Sequence, residues 1–249
     1  MKYTESVCMG GIDEETLRMV RLYPMPLRYL EPEHQCHAFQ WIKVKVKRDS
    51  SDSRPESYKV DFASIEPQEI IPSTKPNLRR QYLENSPSLC SSLEELLERQ
   101  KADGTSLGII VPKVINTVSI EMRTDKERKE WQSKANALLS RGSLFGEKVK
   151  QLDFPEAKFY VHWLCNDVRC DGHKMTIHQW GIHELYRKYK NDPDGNEKVI
   201  RAMYSRLDQD NKDVFLFLGN FSYLQYKFGL MDSYAARKRR EDARQSKLF

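Results

Sequence analysis

Apolar and polar residues alternate most cleanly over residues 159–164, where Phe159, Val161 and Trp163 interleave with Tyr160, His162 and Leu164. A period of two predicts a strand packed on both faces or set in a barrel wall. Downstream the period changes: Ile182, Leu185, Tyr186 and Tyr189 fall on one helical face, and Thr176-Ile177-His178-Gln179 fits a capping box that opens the helix. The same patterning predicts a hairpin at the start of the chain, with strands over 5–9 and 16–23, a turn at Gly10-Gly11, and Pro24 and Pro26 as stops. Residues 41–48 read as one strand, with Trp41, Ile42, Val44 and Val46 apolar and Lys43, Lys45 and Lys47 between them.

Shorter strands are expected over 58–62, 65–71, 107–111 and 114–122, and a closing hairpin over 214–218 and 223–231. Helices are expected over 77–84, from the Ser91/Ser92 cap to Asp103-Gly104, over 196–207, and over 125–139 with Trp131, Ala135, Leu138 and Leu139 inward and an end near Gly142. Such a mixture predicts an α+β chain divided into a β-rich module over 1–123, an α+β module over 124–234 and a basic tail over 235–249, exposed as a helix or without fixed structure.

Between the alternating run and the helix lies the chain's densest set of soft ligands. Cys165, Cys170, His173 and His178 follow a C-x4-C-x2-H-x4-H spacing, with His162 as an alternate and Gly172 permitting the turn. Thiolate and imidazole in a short loop suit Zn²⁺, which closes a tetrahedron with such ligands. On this reading Cys165 ends the strand, Cys170 and His173 occupy the loop, and His178 sits in the first helical turn, so that a metal would pin strand to helix. A structural ion is expected, because the available acid-base groups, His183 and Glu184, lie a helical turn or more along. The competing account makes the cysteines small buried hydrophobes and the histidines hydrogen-bond donors. Residues 32–39 carry a sparser set, His34, Cys36 and His37.

Composition changes the picture in two ways. Hydrophobic residues are 39% and charged residues 31% of the 249, with no apolar run as long as a membrane span and no signal-peptide pattern, so a cytoplasmic chain without a membrane partner is expected. Five scattered cysteines argue against a disulfide framework. The net charge of +5 is concentrated: Arg237, Lys238, Arg239, Arg240, Arg244 and Lys247 stand against Glu241 and Asp242, leaving +1 for residues 1–234. This tail and the row Lys43, Lys45 and Lys47, spaced by about 7 Å along a strand, are the candidate contacts for DNA or RNA phosphates. The tail also serves as a candidate handle for a protein partner, and the lysines equally as solubilising charges on an edge strand.

Five segments, VRLYPMPLR at 20–28, WIKVKV at 41–46, SLGIIVPK at 106–113, CNDVRCDGHKM at 165–175 and FLFLGN at 215–220, resemble an uncharacterised prokaryotic family of dual OB-fold-like domain proteins. The resemblance implies one or two small OB-like β-barrels with inserted helices, the first within residues 1–123, and a nucleic-acid partner held on an aromatic and cationic sheet face. It implies no catalytic residues. The expected function is therefore a nucleic-acid-binding accessory protein with a structural zinc. The alternatives are a metal-dependent hydrolase or nuclease and an adaptor in a multiprotein assembly. The phosphate-loop, dinucleotide, nucleophile-elbow and H-E-x-x-H motifs are all absent from the sequence.

Overall fold

The structure, a computed structural model, describes residues 7–27, 29–139 and 153–238. Arg239, Arg240 and the rest of the basic tail lie outside the described residues, as do Arg28, the expected helix end near Gly142 and the side chains of Leu138 and Leu139. The chain divides into two compact units, residues 1–79 with 122–156, and residues 80–121 with 157–249.

In the first unit β1 (Val7–Ile12) and β2 (Met19–Met25) pair antiparallel, as the opening pattern predicts. The turn falls later than the glycine pair. Asp13 Oδ1 accepts hydrogen bonds from the Thr16 N–H at 2.9 Å and the Thr16 hydroxyl at 2.6 Å, and this Asx-type closure leaves Gly10 and Gly11 inside β1. Pro24 does not stop β2, which runs on to Met25.

The expected strand over 41–48 is two strands. β3 (Gln40–Lys43) pairs with β6 (Glu66–Ile70), while β4 (Val46–Arg48) pairs with β5 (Ser57–Val60) in a different sheet, ordered β1-β2-β5-β4. The break is physical: Lys45 donates its N–H to Ser64 Oγ at 2.9 Å and its carbonyl accepts from the Asp61 N–H at 3.0 Å, so the backbone there is committed to neither ladder. Lys43, Lys45 and Lys47 are all exposed, but they do not form one row along one strand. Leu22, Met25, Leu30, Val60 and Ile65 make the core of this unit, whose helix α3 is Asp125–Leu139; helix α1 (Pro76–Glu84) runs across the boundary into the second unit.

The second unit holds a seven-stranded sheet. Its strands are β7 (Leu89–Cys90), β8 (Leu107–Ile110), β9 (Val114–Met122), β10 (Ala157–Leu164), β11 (His173–Ile177), β12 (Lys212–Phe221) and β13 (Leu224–Arg237), in the order β7-β8-β12-β13-β11-β10-β9. All three sheets are open, and no closed barrel forms among the described residues. The β2–β5, β7–β8 and β11–β13 pairs are parallel, and parallel neighbours need crossover connections. Helix α2 (Leu93–Asp103) supplies one crossover, and α4 (Trp180–Tyr189) with α5 (Gly195–Arg206) lies on another. The OB-like barrels that the resemblance implies do not appear among the described residues, and alternation such as that of β10 does not distinguish a barrel wall from an open sheet with one covered face.

Alternation along β10 does set burial. Phe159, Val161 and Trp163 are fully buried, and Tyr160, His162 and Leu164 are half-buried. The Phe159 ring meets Tyr186 of α4 edge-on at 5.6 Å, and Ile182 buries beside it, each such side chain contributing about 1.5–3 kcal/mol. The capping box at Thr176 is not used. Thr176 and Ile177 belong to β11, paired with Tyr160 and Phe159, and the His178 N–H donates to the Leu230 carbonyl at 2.7 Å, so sheet pairing claims the backbone and α4 starts at Trp180.

Helix α2 begins and ends where its sequence predicts. Ser92 Oγ accepts from the Glu95 N–H at 3.0 Å, Glu95 returns the bond to the Ser91 N–H at 2.7 Å, and Gly104 closes the helix at φ 79°. Its seat is β8: a Cβ on Gly108 would lie 2.8 Å from the Leu96 side chain, so only glycine lets helix and strand approach this closely. The closing hairpin is longer than predicted, reaching Arg237, where buried Arg80 pairs with Asp213 at 2.7 Å and donates to the Arg237 carbonyl at 2.7 Å. No helix among the described residues is long and apolar enough to cross a membrane.

Candidate metal centre

Four ligand atoms meet where α2 faces the end of the β10–β11 hairpin. Cys165 immediately follows β10, Cys170 lies in the connecting loop, His173 opens β11, and Glu94 comes from the first turn of α2. One donor atom from each lies within 4.8 Å of all the others. His173 Nε2 is 3.4 Å from Cys165 Sγ, 3.2 Å from Cys170 Sγ and 3.5 Å from Glu94 Oε1, and the Cys165 thiol donates to Glu94 Oε2 at 2.9 Å. Tetrahedral coordination with bonds of about 2.0–2.3 Å places ligand atoms about 3.3–3.8 Å apart. The three separations from His173 Nε2 lie in or just below this range, and the Cys165–Glu94 hydrogen bond at 2.9 Å is the contact that must open to admit a cation. Two thiols, one imidazole and one carboxylate suit a borderline-soft divalent ion.

Local sequence makes this corner. Gly172, at φ +110°, turns the loop back into β11. The Cys170 sulfur accepts the Cys165 N–H at 3.4 Å, and Cys165 Sγ accepts backbone N–H groups of Asp167 and Leu93. These amides favour the thiolate, against the larger opposing effect of burial. Outside the ligands, Asp167 and Arg169 pair at 2.6 Å, Arg169 reaches Glu98 of α2 at 2.8 Å, and the Ser92 hydroxyl donates to Asp167 at 3.4 Å. Arg169 holds the Asp167 carboxyl well below the usual carboxylate range. Trp163, fully buried, packs its ring 4.6 Å from that of His173 and fixes the imidazole from below.

Burial pushes the Cys165 thiol up to about 11, and its hydrogen bond to Glu94 adds to this, while the Asp167 N–H acts in the other direction. At neutral pH and without a cation the sulfur therefore keeps its proton, and coordination would displace it.

His178 and His162 are not members of the group. The His178 ring packs over Gly229, where a Cβ would lie 2.7 Å from Cδ2, and meets Phe221 edge-on at 5.0 Å. His162 Nε2 bonds Ser119 Oγ at 2.9 Å on the other side of β10. Glu94 is the member that sequence reading passes over. It lies 71 residues before Cys165 and looks like an ordinary acidic residue in a first helical turn, where the helix dipole favours negative charge. Of the candidate phosphate contacts, Lys43 lies on β3, Lys45 between strands, Lys47 on β4 and Arg237 at the end of β13, while the Lys238 N–H donates to the Asn211 carbonyl at 3.0 Å.

A family model described as "Domain of unknown function (DUF8757)" matches residues 89–249, more than half of the chain and all four members of the group. The chain belongs to the DUF8757 family. Residues 1–85, ahead of the DUF8757 segment, match a second model, "Domain of unknown function (DUF8758)". No curated protein and no solved structure matches. Within the DUF8757 segment a cleft of about 540 Å³ adjoins the group, lined by His173 but not by Cys165, Cys170 or Glu94.

Proposed function

We propose that the protein is a nucleic-acid-binding accessory protein whose DUF8757 segment is held together by a structural zinc ion. The observation that carries this reading is the convergence of Cys165, Cys170 and His173 of the β10–β11 hairpin with Glu94 of α2 within 4.8 Å. Zinc takes such ligands, and four protein donors fill its tetrahedron. An ion here fastens α2 to the β10–β11 hairpin. The role is structural because a filled tetrahedron leaves no open position and because neither sulfur nor the carboxylate faces the adjoining cleft.

Exposed Lys43, Lys45, Lys47 and Arg237 support the nucleic-acid half of the reading, with Arg239 and Arg240 added from the sequence. Metal content of protein purified without a metal-affinity column tests the zinc: one zinc per chain is expected, and protein folded with no metal would overturn it. Electrophoretic mobility shifts at increasing salt test the partner: affinity for DNA or RNA should fall steeply with salt, and no shift at low salt would remove this half.

Glu94 favours one second reading. A Cys₂His zinc with a carboxylate beside it is also the arrangement in which a glutamate shuttles protons for a zinc-bound water. Under that reading the protein is a metal-dependent hydrolase, and Glu94 is a base rather than a ligand.

A further inference from the structure

β11 and β13 are neighbours in the large sheet, yet their register pairs them at Ile177 and Leu230, with the His178 N–H to Leu230 carbonyl bond just beyond. Ahead of that point the parallel strands part. The stretches 173–176 of β11 and 226–228 of β13 form the two sides of the 540 Å³ cleft, and Leu93 and Leu97 of α2 add apolar surface to it. Buried Met175 and Phe228 extend this apolar lining.

Aromatic and cationic groups supply the rest. Tyr226 is 71% exposed, Tyr160 and Phe221 are half-buried, and Lys174 and Lys227 are exposed. Lys174 Nζ lies 4.5 Å from the Tyr160 ring centroid and also pairs with Glu121. Among the described residues lining the cleft none is acidic. The volume is that of an ordinary small-ligand site. The lining is mixed, aromatic and aliphatic side chains standing beside His173, His178, Thr176 and two ammonium groups, and it suits a ligand that is planar in one part and anionic in another.

We propose that this cleft is the subsite in which the protein stacks a base of single-stranded nucleic acid, with Tyr226 against the base and Lys227 toward a flanking phosphate, while Lys174, held by Tyr160 and Glu121, closes one wall. The proposal rests on the nucleic-acid reading above and adds the strandedness of the ligand and the residues that hold it. A duplex keeps its bases stacked on one another, so a slot that takes a base edgewise serves a single strand. Sequence tolerance follows, because every base offers the same flat face.

Fluorescence anisotropy of the full chain with labelled oligo-dT and oligo-rU, against a duplex of equal length, tests it. Wild type should prefer the single strands. Tyr226→Ala should weaken single-strand binding by about tenfold, the stacking loss of one base, and Tyr226→Phe should keep it within about twofold. Lys227→Gln should shallow the slope of log affinity against log salt by about 0.7, the value for one lost phosphate contact on a single strand. These positions are exposed, and an unchanged melting temperature and zinc content will show that each variant folds. Binding by wild type that neither Tyr226→Ala nor Lys227→Gln alters would overturn the subsite and leave the nucleic-acid reading standing. No binding of any nucleic acid by wild type would overturn both. Equal affinity for duplex and single strand would overturn the stacking proposal alone.

Discussion

The Cys165 thiol donates a hydrogen bond to the Glu94 carboxylate at 2.9 Å, joining residues 71 positions apart at the corner where the Cys170 sulfur and the His173 imidazole also meet. An S–H bond of this kind occupies the space a cation would take, so removal of a metal leaves the corner closed by a weaker contact. Chelation should therefore loosen the second unit without unfolding its core of Phe159, Val161, Ile182 and Leu216. A cost of about 3 kcal/mol, or about 10 °C in melting temperature, is expected on treatment with a strong zinc chelator, and zinc alone should restore it. A melting curve indifferent to chelator and zinc would remove the structural ion.

Replacement of a sulfur should act more strongly than replacement of a distant one. Cys165→Ser should abolish stoichiometric zinc and lower stability by about 3 kcal/mol or more, whereas Cys36→Ser, in the first unit, should retain both. Zinc quantified by a colorimetric chelator after denaturation reads this directly. Equal zinc in the two variants would place the metal elsewhere.

Glu94→Gln separates the two readings of the centre. If Glu94 is a ligand, the amide weakens zinc binding by about tenfold to a hundredfold, the range for disturbing a metal's immediate surroundings. If Glu94 is a base acting on a metal-bound water, the variant keeps its zinc and loses hydrolysis. Competitive zinc titration of wild type and variant gives the answer without an assumed substrate.

Gly108→Ala tests how closely α2 must sit. The added methyl meets Leu96 at 2.8 Å, so helix or side chain must move, at about 1–3 kcal/mol. Because α2 carries Glu94, the same substitution should weaken zinc affinity. Denaturant melts with and without zinc will show whether packing and metal binding move together, and an affinity unchanged in a destabilised variant would uncouple them.

In the first unit Asp13, Asp49 and Asp52 are all held below the ordinary carboxylate value, and Asp52 should carry a measurable share of the response to acid. Burial alone would push its carboxyl up, but hydrogen bonds from Arg54, with an ion pair at 2.6 Å, overcome this and hold it at about 2 instead of 3.8. A depressed folded-state value stabilises the fold above pH 3.8 and the effect is lost as pH falls through 2. With screening by nearby solvent the contribution is about 1 kcal/mol. Wild type should lose stability between pH 4 and 2 faster than Asp52→Asn. Parallel acid titrations of the two would refute this.

What could be read from the chain was what local chemistry decides. The Ser92 cap and the Gly104 stop fix α2 whatever surrounds it, and the alternation of Phe159, Val161 and Trp163 fixes which side of β10 is inward. Cys165, Cys170 and His173 stand together because they share one short loop. Glu94 could not be joined to them, since its role is set by the α2 crossover that lays its first turn on that loop. Thr176 misled for the same reason in reverse: a sound capping pattern lost to a ladder with Tyr160 and a bond to Leu230 from distant strands. The 41–48 run likewise reads as continuous until Ser64 and Asp61 take the backbone of Lys45.

The meeting of Ile177 with Leu230 makes the large sheet two ladders that share a rung. Deuterium from solvent should therefore enter along the facing margins of β11 and β13 well before it reaches the amides between β12 and β13. A strand-like or stacked guest seated between those margins would be felt first as slowed exchange there, so the seam reports occupancy even when no side chain moves.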